Sequence, residues 1–351
     1  MLAHSARCRM RQAGVRPAKA GTRSGPARRT LICALHVFAA VLVVLLGTAR
    51  ATSDEAWPAK PVRVIVPFAA GSLVDIVPRM IFNEVSTAAH QTFIVENRSG
   101  AGSTIGAALV AKSARDGYTL LANGAGQATM PFLYKDLPFD PRRDFVAVAP
   151  LAAYANVLVV SPAKGVKNLR QFVDRAQAKR GAFTVAGQFG SALYMTAERF
   201  NRSAGIEAIH VPFRGAAAAI SEVAAGRIDY CFCGIGTALP YIRSGKLLAL
   251  AVSTARRATS LPDVPTTLEA GFADSDYTPW LGLFAPAGTP PKIVQKINDA
   301  VRNAEDAPAV RTNFERLALT PMTMSPSEFD AFVRRQMALN SSLIKTLGLT
   351  H

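Results

Sequence analysis

Nine apolar runs rich in β-branched residues recur along the chain: "VRVIV", "TFIVEN", "YTLLA", "NVLVV", "FTVAG", "AIHVPF", "IDYCFC", "LLALAV" and "LGLFAP". They are separated by stretches of about 15 to 25 residues, several with apolar positions at helical spacing. A strand that is apolar at nearly every position must be covered on both faces, and alternation with helices supplies the cover. The expectation is therefore α/β, with a mainly parallel sheet and helices on both faces. So many crossovers in a chain of 351 residues, half of them hydrophobic, favour two α/β units over one.

Helix boundaries can be read at several of these segments. In "GTPPKIVQKINDAV", Thr289 reads as the N-cap and Pro290 as the first helical residue, with Val294, Ile297 and Val301 as the buried stripe. In "GSALYMTAERF", Leu193, Ala197 and Phe200 form a similar stripe behind Ser191. The final segment, "PSEFDAFVRRQMALNSSLIKTLGL", predicts a capped amphipathic helix with Phe329, Phe332, Val333 and Met337 inward. Pro78 falls in the first turns of the helix that follows the first strand, where a missing N–H is best tolerated. Three strand-to-helix turns, "PFAAGS", "SGAGST" and "AGQFGS", are small and glycine-bearing. Turns of this kind leave main-chain N–H groups free to hold an anion.

The first 51 residues are a separate composition: nine arginines and lysines, no acidic residue, then the apolar "LICALHVFAAVLVVLLG" and "TARA". Ala49 and Ala51 satisfy the small-x-small rule for signal-peptide cleavage, so residues 1–51 are expected to be a leader with a long basic start, cleaved near Ala51. An uncleaved anchor would also export the chain, and Met10 is an alternative start to Met1. Of 40 basic residues, 31 remain after those nine, against 24 acidic, so the mature charge is +7 rather than +16. A modest positive charge suits a small anionic ligand, and without a basic stripe interleaved with aromatics nucleic acid is not an expected partner.

Signatures of catalysis are missing. "GAGSTIG" resembles a dinucleotide-binding pattern, but four polar residues separate it from its strand and the acid expected some 20 residues on is only Asp116, in the turn "RDGY". No G-x-S-x-G elbow occurs, and of the mature histidines His210 alternates within a strand, His90 lies in a polar loop and His351 is the terminus. No metal motif is present. Cys231 and Cys233, in "DYCFC", point to one face of a strand and read as two small buried hydrophobes or as a strained disulfide. What remains is a set of helix N-termini that can hold a carboxylate without changing it.

"WPAKPVRVIVPFAAGSLVDIVPR", "VENRSGAGSTIGAALVAKSARDGYTLL", "HVPFRGAAAAISEVAAGRIDYCF", "LAVSTARRATSLPDVPTTLEAG" and "WLGLFAPAGTPP" occur in this order. In sequence and spacing they resemble the substrate-binding proteins of tripartite tricarboxylate transporters, the TctC or Bug family, across residues 57 to 349. The resemblance implies a type II periplasmic binding protein, two α/β lobes joined by crossing strands with a ligand cleft between them. Lobe one would be residues 54–153 with 277–351, and lobe two residues 154–276. It implies a periplasmic, non-enzymatic receptor that passes a small carboxylate to the membrane subunits of its transporter, working as a monomer without cofactor or metal. A sensor that signals its liganded state and an exported α/β enzyme are the rival readings.

By the same resemblance "PFAAGSLVD" is the first ligand loop, with Phe68 walling the cleft, main chain at Ala70 and Gly71 approaching the ligand, and Ser72 donating. Asp75 either orients that loop or caps its helix. Gln127 in "NGAGQAT", and Gly187, Gly190, Ser191 and Tyr194 in "AGQFGSALY", would face the ligand, and Gly215 would open a helix at the cleft. Arg214 is a ligand partner or an interlobe brace, and Asp229 closes a hydrogen-bond network or touches solute. The chain departs from the family pattern at Ala70 and Ser72, where Pro-Gly-Gly is usual around Gly71, at Tyr194, often His, and at Ala186 and Gly187, commonly Ser or Thr. A family ligand is therefore not carried over.

Overall fold

The computed structural model describes residues 57–349, Arg214 excepted. The leader and its cleavage site near Ala51 lie outside the described residues, as does Arg214. Two mixed sheets organise the remainder. The first contains β1 (Val62–Val66), β2 (Phe93–Asn97), β3 (Thr119–Gly124), β4 (Phe145–Tyr154), β10 (Trp280–Pro286) and β11 (Leu319–Thr320), in the order β11-β4-β10-β3-β1-β2. The second contains β5 (Asn156–Val160), β6 (Phe183–Ala186), β7 (Ala208–Val211), β8 (Tyr230–Gly234) and β9 (Leu248–Val252), in the order β7-β6-β8-β5-β9.

The expected parallel pairing holds for β1 with β2 and β3, and for β6 with β7 and β8. It fails at the passages between sheets, because β10 runs antiparallel to both its neighbours, β3 and β4, in the first sheet and β5 runs antiparallel to β8 and β9 in the second. The ten-residue β4, "FVAVAPLAAY", is absent from the nine predicted strands. Its alanines are weak β-formers and Pro150 cannot donate to a ladder. The pairing with β10 accommodates that proline by a register shift between Leu281 and Gly282.

Helices cover both faces of each sheet. Around the first lie α1 (Leu73–Ala89), α2 (Thr104–Ala111), α3 (Met130–Leu133), α8 (Pro291–Glu305), α9 (Pro308–Arg316) and α10 (Pro326–Leu347); around the second lie α4 (Leu169–Ala178), α5 (Ala192–Ala204), α6 (Ala216–Ala224) and α7 (Ile235–Arg243). Leu73, Val77, Ile81, Phe82 and Val85 of α1 share one core cluster with β1 and α8. Phe329 and Val333 of α10 sit in the opposite cluster with Trp280 and Phe284. A capping box between Ser325 and Glu328 starts α10, and Gly205, at φ 61°, stops α5. At α8 the expected boundary moves by one residue: Pro290 is the cap, Pro291 the first helical residue, and the Thr289 hydroxyl donates backwards to the Pro286 carbonyl.

The two passages between sheets are laced together. The chain leaves the first sheet at Tyr154 and enters the second at Asn156. The Asn156 N–H donates to Ser253 Oγ at 3.2 Å, and the Ser253 N–H donates to the Asn156 carbonyl at 2.8 Å. On the way back, Ser253 Oγ donates to the Tyr277 carbonyl at 2.7 Å, and the Tyr154 N–H donates to Pro279 at 3.0 Å. These main-chain and Ser253 hydroxyl bonds hold the crossings side by side.

Candidate functional site

Strands run out at one place from both sheets. A cavity of about 710 Å³, its mouth included, is lined by Phe68, Ser72, Leu73 and Val74 after β1, by Gly124, Ala125 and Gly126 after β3, and by Tyr154 at the end of β4. The second sheet contributes Gly187, Gln188, Ser191, Ala192 and Leu193 after β6, Phe213, Gly215, Ala216 and Ala219 after β7, and Gly234 and Thr237 after β8. The carboxyl ends of strands in an α/β sheet are where loops open a crevice. The N-termini of α1, α5, α6 and α7 all reach this one.

The loop after β1 is tied down by a buried acid. Asp75, 3% exposed, accepts the Gly71 N–H at 2.9 Å through Oδ2, and through Oδ1 it accepts Arg79 Nε at 2.9 Å and Asn97 Nδ2 at 2.8 Å. Asn97 also donates to the Phe68 carbonyl. Of its two expected roles Asp75 has the loop-orienting geometry, since its acceptors serve Gly71 and β2 rather than the helix start. Gly71, at φ 82°, makes the turn that a side chain would strain. Ser72 caps α1 in extended conformation but donates its hydroxyl to the Ala69 carbonyl at 3.1 Å. Ala70 and Gly71 are exposed and stand outside the lining.

The facing loop is held differently. The Gly187 N–H donates to Val211 at 3.1 Å, and Ser191 Oγ accepts the Tyr194 N–H at 3.3 Å as the cap of α5. The Gly190 carbonyl, at a residue with φ 75°, lies 3.2 Å from Thr129 Oγ1 on the first sheet's side, whose one proton it shares with the Gly126 carbonyl at 3.1 Å. Tyr194 lies behind the loop, its ring 5.1 Å from Phe189 and 4.4 Å from His210. Burial, with the Glu198 charge nearby, raises its phenol well above the usual range. Gly190 and Tyr194 support the loop without lining the cavity. Across the mouth the halves come close: a Cβ on Gly234 would lie 2.6 Å from Leu73 Cδ1, and one on Gly215 would lie 3.9 Å from Ala69 Cβ.

Two expected residues point elsewhere. Gln127 is fully buried, accepts Asn123 Nδ2 at 2.9 Å, and borders a separate hollow with Arg142, Phe284 and Arg334, while its neighbours Ala125 and Gly126 reach the cavity. In a 3₁₀ turn successive side chains are about 120° apart, so main chain facing the cavity turns Gln127 inward. Asp229 precedes β8, whereas the cavity lies past its far end at Gly234, roughly 16 Å away at strand rise. Burial alone would raise the Asp229 carboxyl, but Lys164 at 2.7 Å and two bonds from Thr184 hold it below its usual value. The turn "SGAGST" lies beside the site: a Cβ on Gly102 would overlap the Tyr134 hydroxyl and come within 3.5 Å of the Phe189 carbonyl.

Sequence reading missed Tyr154, Leu193, Phe213, Gly234 and Thr237. Gly234 and Thr237 carried a signal, since "CFCGIGT" repeats the strand, glycine, helix pattern of the recognised turns. His210 pairs through Nε2 with Glu198, and Cys231 and Cys233 are free thiols in one core cluster of the second sheet. The Cys233 thiol is pushed up by its hydrogen bond with Cys231 and by burial. No group of three metal-ligating side chains occurs among the described residues.

Helix N-termini from two separate sheets thus face one cavity. Residues 77–349 match the family model described as the tripartite tricarboxylate transporter family receptor. The chain belongs to this family. It is 34% identical to a UPF0065 protein in the tcbD-tcbE intergenic region of Pseudomonas sp. (strain P51), over 79% of this chain and 83% of that one. Among solved structures it is similar to MatC from Rhodopseudomonas palustris with bound malate, at 33% identity and a TM-score of 0.78, covering 82% of this chain and 100% of that one. An R. palustris protein with adipate superposes at a TM-score of 0.79 with 29% identity, covering 83% and 98%. The tripartite tricarboxylate receptor family is one of periplasmic solute-binding receptors, not of enzymes, and the fold is the periplasmic-binding-protein architecture of two α/β halves.

Proposed function

We propose that this receptor closes on a small carboxylate in the periplasm and presents the closed form to the membrane subunits of a tripartite tricarboxylate-type transporter. The observation that carries the reading is the arrival of four helix N-termini, from both sheets, at one cavity. First-turn amides have no intrahelical acceptor and the N-terminal end of a helix carries partial positive charge, so together they grip an anion. They supply neither nucleophile nor general base, which suits holding rather than transforming. The malate and adipate carried by the two R. palustris relatives are ligands of the same chemistry.

In this reading lobe one is residues 54–153 with 277–351 and lobe two residues 154–276. Phe68 walls the cleft, and the donors are the first-turn amides of α1 behind Ser72, of α5 behind Ser191 and of α6 behind Gly215; Ala70, Gly71 and Gly187 shape the loops, with the Gly71 and Gly187 amides already given to Asp75 and to the Val211 carbonyl. Arg214, between two lining residues in sequence, adds a positive charge. Asp75, Gly190 and Tyr194 hold the two loops in place, and Gln127 and Asp229 support each lobe from within. Residues 1–51 direct export and are removed near Ala51, leaving a monomer. Closure follows only if the ligand binds the closed form more tightly than the open one.

Native mass spectrometry of freshly purified mature protein, with release and identification of the bound molecule, tests this directly. A bound carboxylate is expected, and after its removal calorimetric titration with that acid should restore binding. Heat from no mono-, di- or tricarboxylate would contradict the reading.

A further inference from the structure

We infer that the end of the second sheet's half farthest from the cavity docks an acidic segment of a partner protein, one that carries an apolar side chain. Residues 164–180 hold six cations, Lys164, Lys167, Arg170, Arg175, Lys179 and Arg180, and one acid, Asp174. Their net charge is +5, against +7 for the whole chain after residue 51, so most of the net positive charge is gathered in one short stretch. The fold brings two more acids to it: Asp229 pairs with Lys164 at 2.7 Å and Glu207 with Arg180 at 3.5 Å. Arg175 gives its guanidinium to the Lys164 and Gly165 carbonyls and keeps its charge, and Lys167 and Lys179 are exposed without an ion pair among the described residues.

β5 sets the place. Its first residue, Asn156, pairs with Gly234 at the cavity, and its last, Val160, pairs with Tyr230 at the opposite end. There Val160, Val166, Phe172 and Phe183 line a hollow of about 890 Å³, its mouth included, together with Arg175 and Lys179. Phe172 and Phe183 meet edge to face at 5.7 Å, and Phe183 is only half-buried, so part of an apolar wall stands open. Asp229 also lines the hollow. Its Oδ2 accepts both bonds from Thr184, whereas Oδ1 accepts Lys164 alone and has room for a second donor.

These features together select the partner. A phosphate headgroup or a free anion gains from the cations, but it meets the Asp229 carboxylate and leaves the aromatic wall unused. An acidic peptide uses all three: its carboxylates lie beside Lys167, Arg175 and Lys179, an apolar side chain covers Phe172 and Phe183, and a main-chain N–H reaches Asp229 Oδ1. The concentrated charge also speeds encounter with an acidic surface. Because the hollow and the cavity lie at opposite ends of β5, an occupant here leaves the cavity uncovered.

Fluorescence anisotropy with the mature receptor tests the inference, using the dye-labelled peptide acetyl-Glu-Glu-Phe-Glu-Glu-amide and the same peptide with Gly in place of Phe. The phenylalanine peptide should bind saturably at low salt, and the glycine peptide at least about fivefold more weakly. A Lys167→Glu/Lys179→Glu receptor, with an unchanged urea midpoint, should bind the phenylalanine peptide at least about tenfold more weakly. No binding of that peptide, equal binding of the two peptides, or a charge-reversed receptor as good as the parent would each overturn the inference. So would retention of the receptor on phosphatidylglycerol vesicles without affinity for the peptide, since the patch would then serve a membrane surface.

Discussion

The two loops that face each other across the cavity look alike in sequence, small residues between a strand and a helix, yet they are secured by different means. "PFAAGS" is fixed within its own sheet: Asp75 gathers Gly71, Arg79 and Asn97 into one buried network. "AGQFGS" is fixed partly from outside, since the Gly190 carbonyl receives Thr129 from across the cleft and its turn packs against Leu133 and Tyr134. The first loop draws its ties from its own half of the molecule. The second draws one of its ties from the opposite half. We propose that the first jaw is preorganised and that the second becomes rigid on closure, which would couple ligand affinity to closure.

The comparison is broken most severely at Asp75. Asp75→Asn keeps the shape but loses the charge and one acceptor, leaving the Gly71 N–H or Arg79 Nε without its present acceptor; we expect a loss of about 1–2 kcal/mol in urea unfolding. Affinity in calorimetry should fall with it. Unchanged stability would mean that the first jaw is not fixed by this network. Next in size, Thr129→Val removes the cross-cleft donor. Its cost should show in binding, about fivefold weaker affinity or roughly 1 kcal/mol, with a smaller change in melting temperature. Equal losses in both would place the bond in the open form too. Ser191→Ala deletes the cap of α5, and because that bond is long the expected destabilisation is at the low end, about 0.5–1 kcal/mol.

Asp229→Asn should leave affinity untouched and change only the acid side of the stability curve. The folded Asp229 carboxyl titrates below its unfolded value, so its stabilisation is present above the unfolded pKa, about 4, and is lost as pH falls through the folded one. Between pH 7 and pH 3 the variant should therefore lose less stability than the parent, as read by urea midpoints. A drop in ligand affinity would restore Asp229 to the binding site.

Much of this was legible in the chain. Apolar runs gave nine of the eleven strands among the described residues because "VRVIV" or "LLALAV" is unambiguous, and the glycine turns marked three strand ends. β4 was not legible: alanines and Pro150 conceal a strand that depends on neighbours on both sides for its pairing. Nor could pattern reading tell that Gln127 turns inward while Ala125 faces the cavity, since one residue in a 3₁₀ turn decides it. Phe213 and Leu193 read as core residues, and they do pack on core, but the same rings and methyls also form the cavity wall.

The central claim is that main-chain donors from two opposed helix starts hold one carboxylate. A crystal structure of the receptor with its released and re-added acid tests it most directly. The account predicts carboxylate oxygens within hydrogen-bond distance of N–H groups from both the α1 and α5 starts. A ligand held by side-chain cations alone, or seated in another hollow of the molecule, would contradict it.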